Sequence, residues 1–228
     1  MRVSQICGLL ISVLLSSVLS PEPVLAMTAV QYRDRGLQFR EQGQFSEAIA
    51  SLQKAVELEP ANVSGRISLG WTLHLAKRDP EAANMLEQTI ALNPFDVQTF
   101  NALGIVYLVS DRLPDAVITH TWATFLAPQN EIAHYNLSLA FWRLKTYDWA
   151  IASAKRAAEL EPNNPHPWVA LAIAHWNNQE PKLAQQAYQQ AIVQDGRYGD
   201  RDFLKYLDEA GFSGDQIEAS RRVLAALR

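Results

Sequence analysis

The chain has one cysteine in 228 residues, Cys7, and it lies inside the first apolar run. With no second thiol, a disulfide framework and a cysteine-built metal set are both excluded. Basic residues are also in deficit, 20 Lys and Arg against 24 Asp and Glu, for a formal charge of −4. No helix expected from the sequence carries a basic stripe, which argues against a nucleic acid partner. Five histidines are present, His74, His120, His134, His166 and His175, but none recurs at the i, i+4 spacing that puts two ligands on one helix face. There is no glycine-rich phosphate loop, no G-x-S-x-G turn and no second domain long enough to hold an active site. The expectation is therefore a protein that is not an enzyme and that needs no metal or other cofactor.

What the chain does have is a period. Leu-x-Pro closes a helix-length segment at Leu58-Glu59-Pro60, Leu92-Asn93-Pro94, Leu126-Ala127-Pro128 and Leu160-Glu161-Pro162, each proline 34 residues after the last. A fixed period of this length is the signature of stacked helical units. Alignment on the prolines brings further columns into register. Alanine falls at Ala48, Ala82, Ala116 and Ala150, and a glycine or small residue at Gly36, Gly70, Gly104 and Ser138. Bulky residues stand between at Phe39, Leu73, Tyr107 and Phe141, followed by Leu52, Leu86, His120 and Ala154. Small residues at a helix crossing let two axes approach, with the glycines expected to face the alanines. Proline stops the second helix because it lacks an N–H and clashes with the preceding turn. Asp79-Pro80 reads as an N-cap followed by proline at the first helical position, and Asp148 marks another helix start.

These columns resemble the tetratricopeptide repeat (TPR), whose unit follows the pattern W-x2-L-G-x2-Y, A-x3-F, P. A fifth, degenerate unit carries Trp168, Leu171, Ala172, His175, Ala184, Tyr188 and Ala191, with Gly196 where the proline would stand. The resemblance implies an all-α fold, a right-handed TPR superhelix (α-solenoid) of five helix-turn-helix repeats at 29–62, 63–96, 97–130, 131–164 and 165–198. Residues 199–228 would supply C-terminal capping helices, one over Asp200–Leu207 and one from Ser213 or Asp215 to Ala226, covering the last apolar face. His120 stands where the repeat has a packing phenylalanine, so a buried, hydrogen-bonded histidine is expected there. His134, in the column of Tyr32, Phe100 and Trp168, reads the same way.

Residues 1–26 stand apart from the repeats. Arg2 precedes an uncharged run from Val3 to Pro21, and Val24-Leu25-Ala26 matches a signal-peptidase site. The expectation is a secretory signal cleaved after Ala26, hence an exported protein of a periplasm, or of a thylakoid lumen in a photosynthetic cell. An uncleaved anchor, with membrane association through residues 3–21, and a start at Met27 are the alternatives.

By resemblance, the first helix of each unit lines a concave groove. The side chains carried into it are Ile67, Trp71, Asn101, Ile105, Tyr135, Asn136, Leu139, Trp142, Ile173 and Trp176. The basic clamp by which cochaperone TPR domains hold a terminal carboxylate is absent, since Leu37, Ser68, Gln98 and Ala102 occupy its places and only Arg33 fits. The groove is then expected to take an apolar or amphipathic segment of a partner protein, with Trp71, Trp142 and Trp176 as anchors. This reading gives a scaffold or assembly factor; a holdase for unfolded clients, or an accessory subunit of an envelope or photosynthetic membrane complex, would use the same surface. Trp149 reads as a staple at a helix start. Trp122, on the convex side, departs furthest from the repeat pattern and reads as a second contact surface.

Overall fold

The computed structural model describes residues 27–227, and the signal segment expected at 1–26 lies outside them. Among the described residues the regular structure is all helical. Five antiparallel pairs follow one another: α1 (Ala29–Glu41) with α2 (Phe45–Leu58), α3 (Val63–Leu75) with α4 (Asp79–Leu92), and α5 (Val97–Val109) with α6 (Leu113–Leu126). Then come α7 (Glu131–Arg143) with α8 (Tyr147–Leu160), and α9 (Pro165–Asn177) with α10 (Pro181–Gln194). Two 3-10 segments, Gly196–Gly199 and Phe203–Ala210, lead to a last helix, α11 (Gly214–Ala225). No helix among the described residues is long and apolar enough to cross a membrane.

Each pair starts and turns by the same local chemistry. The residue two places after each proline caps the next first helix. Asn62, Asp96 and Asn130 accept from the backbone N–H of Gly65, Thr99 and Ala133, and Asn164 from that of His166. Thr28 does the same for α1 through Gln31. Such caps contribute about 1 kcal/mol each. At the far end every first helix closes in a left-handed residue, at Gly43, Lys77, Asp111, Lys145 and Gln179, with φ between 61° and 72°. The next N–H bonds back five residues, as from Arg78 to the Leu73 carbonyl and from Arg112 to that of Tyr107, which satisfies carbonyls the helix end would otherwise orphan. Asp79 is the first residue of α4 rather than its cap; its carboxylate holds His74 Nδ1 at 2.6 Å.

Within a pair the crossing is set by glycine against a bulky residue of the second helix, more than against alanine. A Cβ on Gly36 would lie 2.6 Å from Leu52 Cγ, and one on Gly70 2.8 Å from Leu86 Cγ. At Gly104 the neighbour is the His120 ring, at 2.5 Å. In the fourth unit the bulky partner has shrunk to Ala154, and there Ser138 replaces the glycine, so total volume is kept. Ala48, Ala82, Ala116 and Ala150 are fully enclosed beside these contacts. Leu52 and Leu86 each contribute about 1.5–3 kcal/mol by leaving water.

His120 is buried, as expected, but neither ring nitrogen has a hydrogen-bond partner. Burial lowers its pKa to about 3. His134 is half-buried with Nε2 3.2 Å from the Pro128 carbonyl. Trp149 is not a closed staple: it is mostly exposed, its ring 6.0 Å from that of Phe141.

The C-terminal segment differs from expectation in form and place. The helix expected over Asp200–Leu207 is a 3-10 segment, Phe203–Ala210, that buries Leu204 and Leu207. Gly211, at φ +84°, then reverses the chain. By the 34-residue register α11 would be the second helix of a sixth unit, outside the stack. It lies instead against α9 and reaches α7, on the concave side.

Candidate functional site: the concave groove

The first helices of successive units touch one another, α3 with α5, α5 with α7 and α7 with α9, and so form the inner wall. Side chains repeating one turn apart on each of them face the groove, and the ten residues named from the sequence divide into two sets.

The set on α7 and α9 is covered by the protein's own C-terminal segment. Leu139 and Ile173 are fully buried, and Asn136 and Trp142 nearly so. Trp142 Nε1 donates to the Ile173 carbonyl at 3.2 Å, which fixes the indole between the two helices. Gln216 of α11 has no solvent exposure and donates through Nε2 to the Leu139 carbonyl at 3.2 Å. The Tyr135 hydroxyl donates to the Ala210 carbonyl at 2.6 Å, and its ring lies 6.1 Å from that of the buried Phe212. Burial pushes the Tyr135 phenol well above its ordinary range, with the Tyr198 phenol adding to the effect. Gln185 Nε2 ties the end of the segment down by donating to the Ala226 carbonyl. Trp176 remains half-buried at the edge of this region.

The set on α3 and α5 is open. Ile67, Trp71, Asn101 and Ile105 are each partly exposed. Asn101 is not free to bond a ligand backbone, because it exchanges two hydrogen bonds with the cap residue Asn130, at 2.8 and 3.3 Å. The Trp71 ring lies 5.1 Å from His74, which the Asp79 carboxylate holds in place. A cavity of about 490 Å³ runs over Trp71 and Ile105 toward Tyr135, with Leu75, Leu108, Val109 and Ile132 as apolar lining. Four carboxylates border it, Glu131, Glu161, Asp208 and Glu209, against one ammonium, Lys77. Two of those acids come from the 3-10 segment, so the folded-back C-terminus also forms an end wall of the open half.

Sequence reasoning missed Leu75, Val109 and Ile132, which sit at the ends of first helices rather than in their middle. Leu75 and Val109 end their helices just before the left-handed turns at Lys77 and Asp111, and Ile132 lies in the first turn of α7. Among the described residues no group of three His, Cys, Asp or Glu is placed to hold a metal ion. The His74–Asp79 and His175–Glu180 pairs, both 2.6 Å, each tie a first helix to the start of its own second helix. The arrangement offers apolar area bordered by carboxylates.

Two family models match the chain, "TPR repeat" over residues 36–76 and "Tetratricopeptide repeat" over residues 102–165. Among curated proteins it is 24% identical over 134 residues to the "Phagocyte signaling-impaired protein" of Aedes aegypti, covering 58% of this chain and 14% of that protein. It is 29% identical over 93 residues to the "Uncharacterized protein y4yS" of Sinorhizobium fredii (strain NBRC 101917 / NGR234), covering 40% of this chain and 51% of that one. The chain thus spans about a seventh and about half of the lengths of these relatives. Among solved structures, MamA from MSR-1 aligns at TM-score 0.62 and 25% identity, covering 74% of this chain and 97% of that one. TTC0263, a thermophilic TPR protein of Thermus thermophilus, aligns at TM-score 0.62 and 21% identity, covering 80% and 98%. The chain carries tetratricopeptide repeats, and its fold is that of a TPR solenoid.

Proposed function

We propose that the protein is an exported, non-enzymatic scaffold that holds an apolar segment of a partner protein in the open half of its groove, across α3, α5 and the start of α7. The observation that supports this most is α11. The same concave wall already holds an amphipathic helix, seated through Ala219, Val223 and Leu224 and oriented by a Gln216 hydrogen bond to the wall's backbone. A wall that accommodates one helix in cis has the shape and apolar character to accept a second segment beside it. Trp71 and Ile105 are the anchors of the vacant half, and Tyr135, held by the Ala210 carbonyl, closes one end of it. The bordering Glu131, Glu161, Asp208 and Glu209 favour a segment with lysine or arginine beside its apolar residues. A bounded cavity of about 490 Å³ suits one short segment better than the extended chain of an unfolded client, so the scaffold reading is preferred to a holdase.

Calorimetric titration with synthetic apolar peptides, flanked by lysines in one series and glutamates in the other, tests the reading. Lysine-flanked peptides should bind, and Ile105→Asp should weaken them by about thirtyfold, the equivalent of one anchor worth about 2 kcal/mol. Equal binding of both series, or no effect of Ile105→Asp, would count against it. Export is tested separately by the mass of the protein recovered from cell fractions: a chain beginning at Met27 outside the cytosol is expected, and a chain retaining Arg2 in the membrane would replace the cleaved signal with an anchor.

A further inference from the structure

The outer face of the solenoid is built from second helices, and one of them breaks the register. At the place of Trp122 the other units carry Lys54, Gln88, Arg156 and Gln190, and at the place of Ile118 they carry Ala50, Asn84, Ala152 and Gln186. Phe95, in the turn before α5, stands where Ala61, Gln129 and Asn163 stand elsewhere. Ile118, Trp122 and Phe125 follow one another at i, i+4 and i+7 and so form one stripe on α6. They are 68%, 44% and 72% exposed, and Phe95 is 71% exposed. The Trp122 and Phe125 rings are stacked at 5.4 Å, so part of the stripe is already ordered. Asp115 is the single charged residue of α6, and Arg112 holds it at 2.7 Å.

We infer that this stripe is the contact by which two copies of the chain pair, α6 against α6, about a twofold axis near Trp122. A stripe of this spacing on an outward-facing helix is its own complement in an antiparallel crossing, since ridges of one copy enter grooves of the other. The absence of free charge leaves nothing to repel between identical copies and nothing to select a charged partner. Aromatic side chains offer about 150–250 Å² each, so with these exposures the four residues present roughly 500 Å² per copy. Two copies that bury all of it would enclose about 1,000 Å², the lower edge of specific association, so the dimer should be weak. A lipid surface fits less well, because helices that lie on membranes carry lysine and arginine along their polar side, and α6 has neither.

Sedimentation velocity of the full chain, from about 1 to 200 µM, reads the claim directly. The mass should rise from one copy toward two across that range, and the double variant Ile118→Asn, Trp122→Gln should stay at one copy throughout. Both substitutions install what α4 already carries at the same places, and circular dichroism checks that helicity is kept; Phe125→Glu serves as the second variant if it is not. Ile105→Asp should leave the dimer unchanged, which separates this surface from the groove. A wild-type chain that remains single at 200 µM, or a dimer that survives in the variants, would overturn the inference. So would a single-copy wild type that co-sediments with phosphatidylglycerol vesicles through Trp122.

Discussion

Replacing His120 with leucine should stabilise the protein. The imidazole is enclosed between α5 and α6 with both ring nitrogens unpartnered, and a buried polar group left unsatisfied costs about 1–3 kcal/mol. Leucine already fills the equivalent place twice, as Leu52 against Gly36 and Leu86 against Gly70, with no solvent exposure in either. The backbone at that crossing therefore accepts the side chain. A gain of about 1–3 kcal/mol corresponds to a rise in Tm of about 2–4 °C per kcal/mol for a chain of this size. The pH dependence adds an independent signature. The unfolded histidine takes up a proton near 6.5, whereas burial lowers the folded pKa to about 3. Between those values the unfolded state binds more protons, so the wild type loses up to about 1.4 kcal/mol for each unit that pH falls. His120→Leu removes that loss. Thermal unfolding of both proteins at pH 7.5 and 4.5 is the assay, and the gap between them should widen by about 2–3 kcal/mol at the lower pH. A destabilised variant, or a gap that does not change with pH, would refute the account of an unpartnered neutral histidine.

Other perturbations follow from the same packing. Gly70→Ala places a Cβ 2.8 Å from Leu86 Cγ and should cost about 1–3 kcal/mol by overpacking, whereas Gly65→Ala meets nothing nearer than 3.6 Å and should add about 0.5–1 kcal/mol of helix propensity; paired denaturation curves compare them. Lys145→Gly and Gln179→Gly relieve left-handed residues at φ 61° and 63°, and each should raise stability by about 0.5–1 kcal/mol after the glycine's greater unfolded freedom is deducted. Asn130→Ala removes both the α7 cap and the exchange with Asn101 and should cost about 1–2 kcal/mol, measured by thermal melt. Gln216→Leu removes both its bond to the Leu139 carbonyl and its acceptance from the Ser213 N–H at the start of α11; amide exchange in α11 should quicken while that in α3 and α4 stays unchanged.

Much of the solenoid was legible because each crossing solves the same packing problem, and the solution recurs every 34 residues at Ala48, Ala82, Ala116 and Ala150. The cap column was equally available, as asparagine or aspartate two places after each proline. The left-handed column was not, since glycine marks it once and Lys77, Asp111, Lys145 and Gln179 carry no such signal. The groove was legible only in part. Position within a first helix says that Leu139 and Ile173 point inward, but their covering is decided by α11, whose Gln216 bonds a residue 77 positions away. The spacing of Phe203, Leu204 and Leu207 suits an α-helix and a 3-10 helix alike. Only Gly211, left-handed and against Leu139 in the structure, makes the reversal into the groove possible.

The most direct test of the open half-groove is photo-crosslinking from its floor. A benzophenone side chain at position 105 of the full chain, irradiated in the native cell, should attach to one protein, through an apolar stretch with lysine or arginine beside it. The same group at Gln53, on an outer helix, should not give that adduct. Attachment only to the chain's own C-terminal segment, or an identical set of adducts from both positions, would contradict the claim that this half of the groove holds a partner.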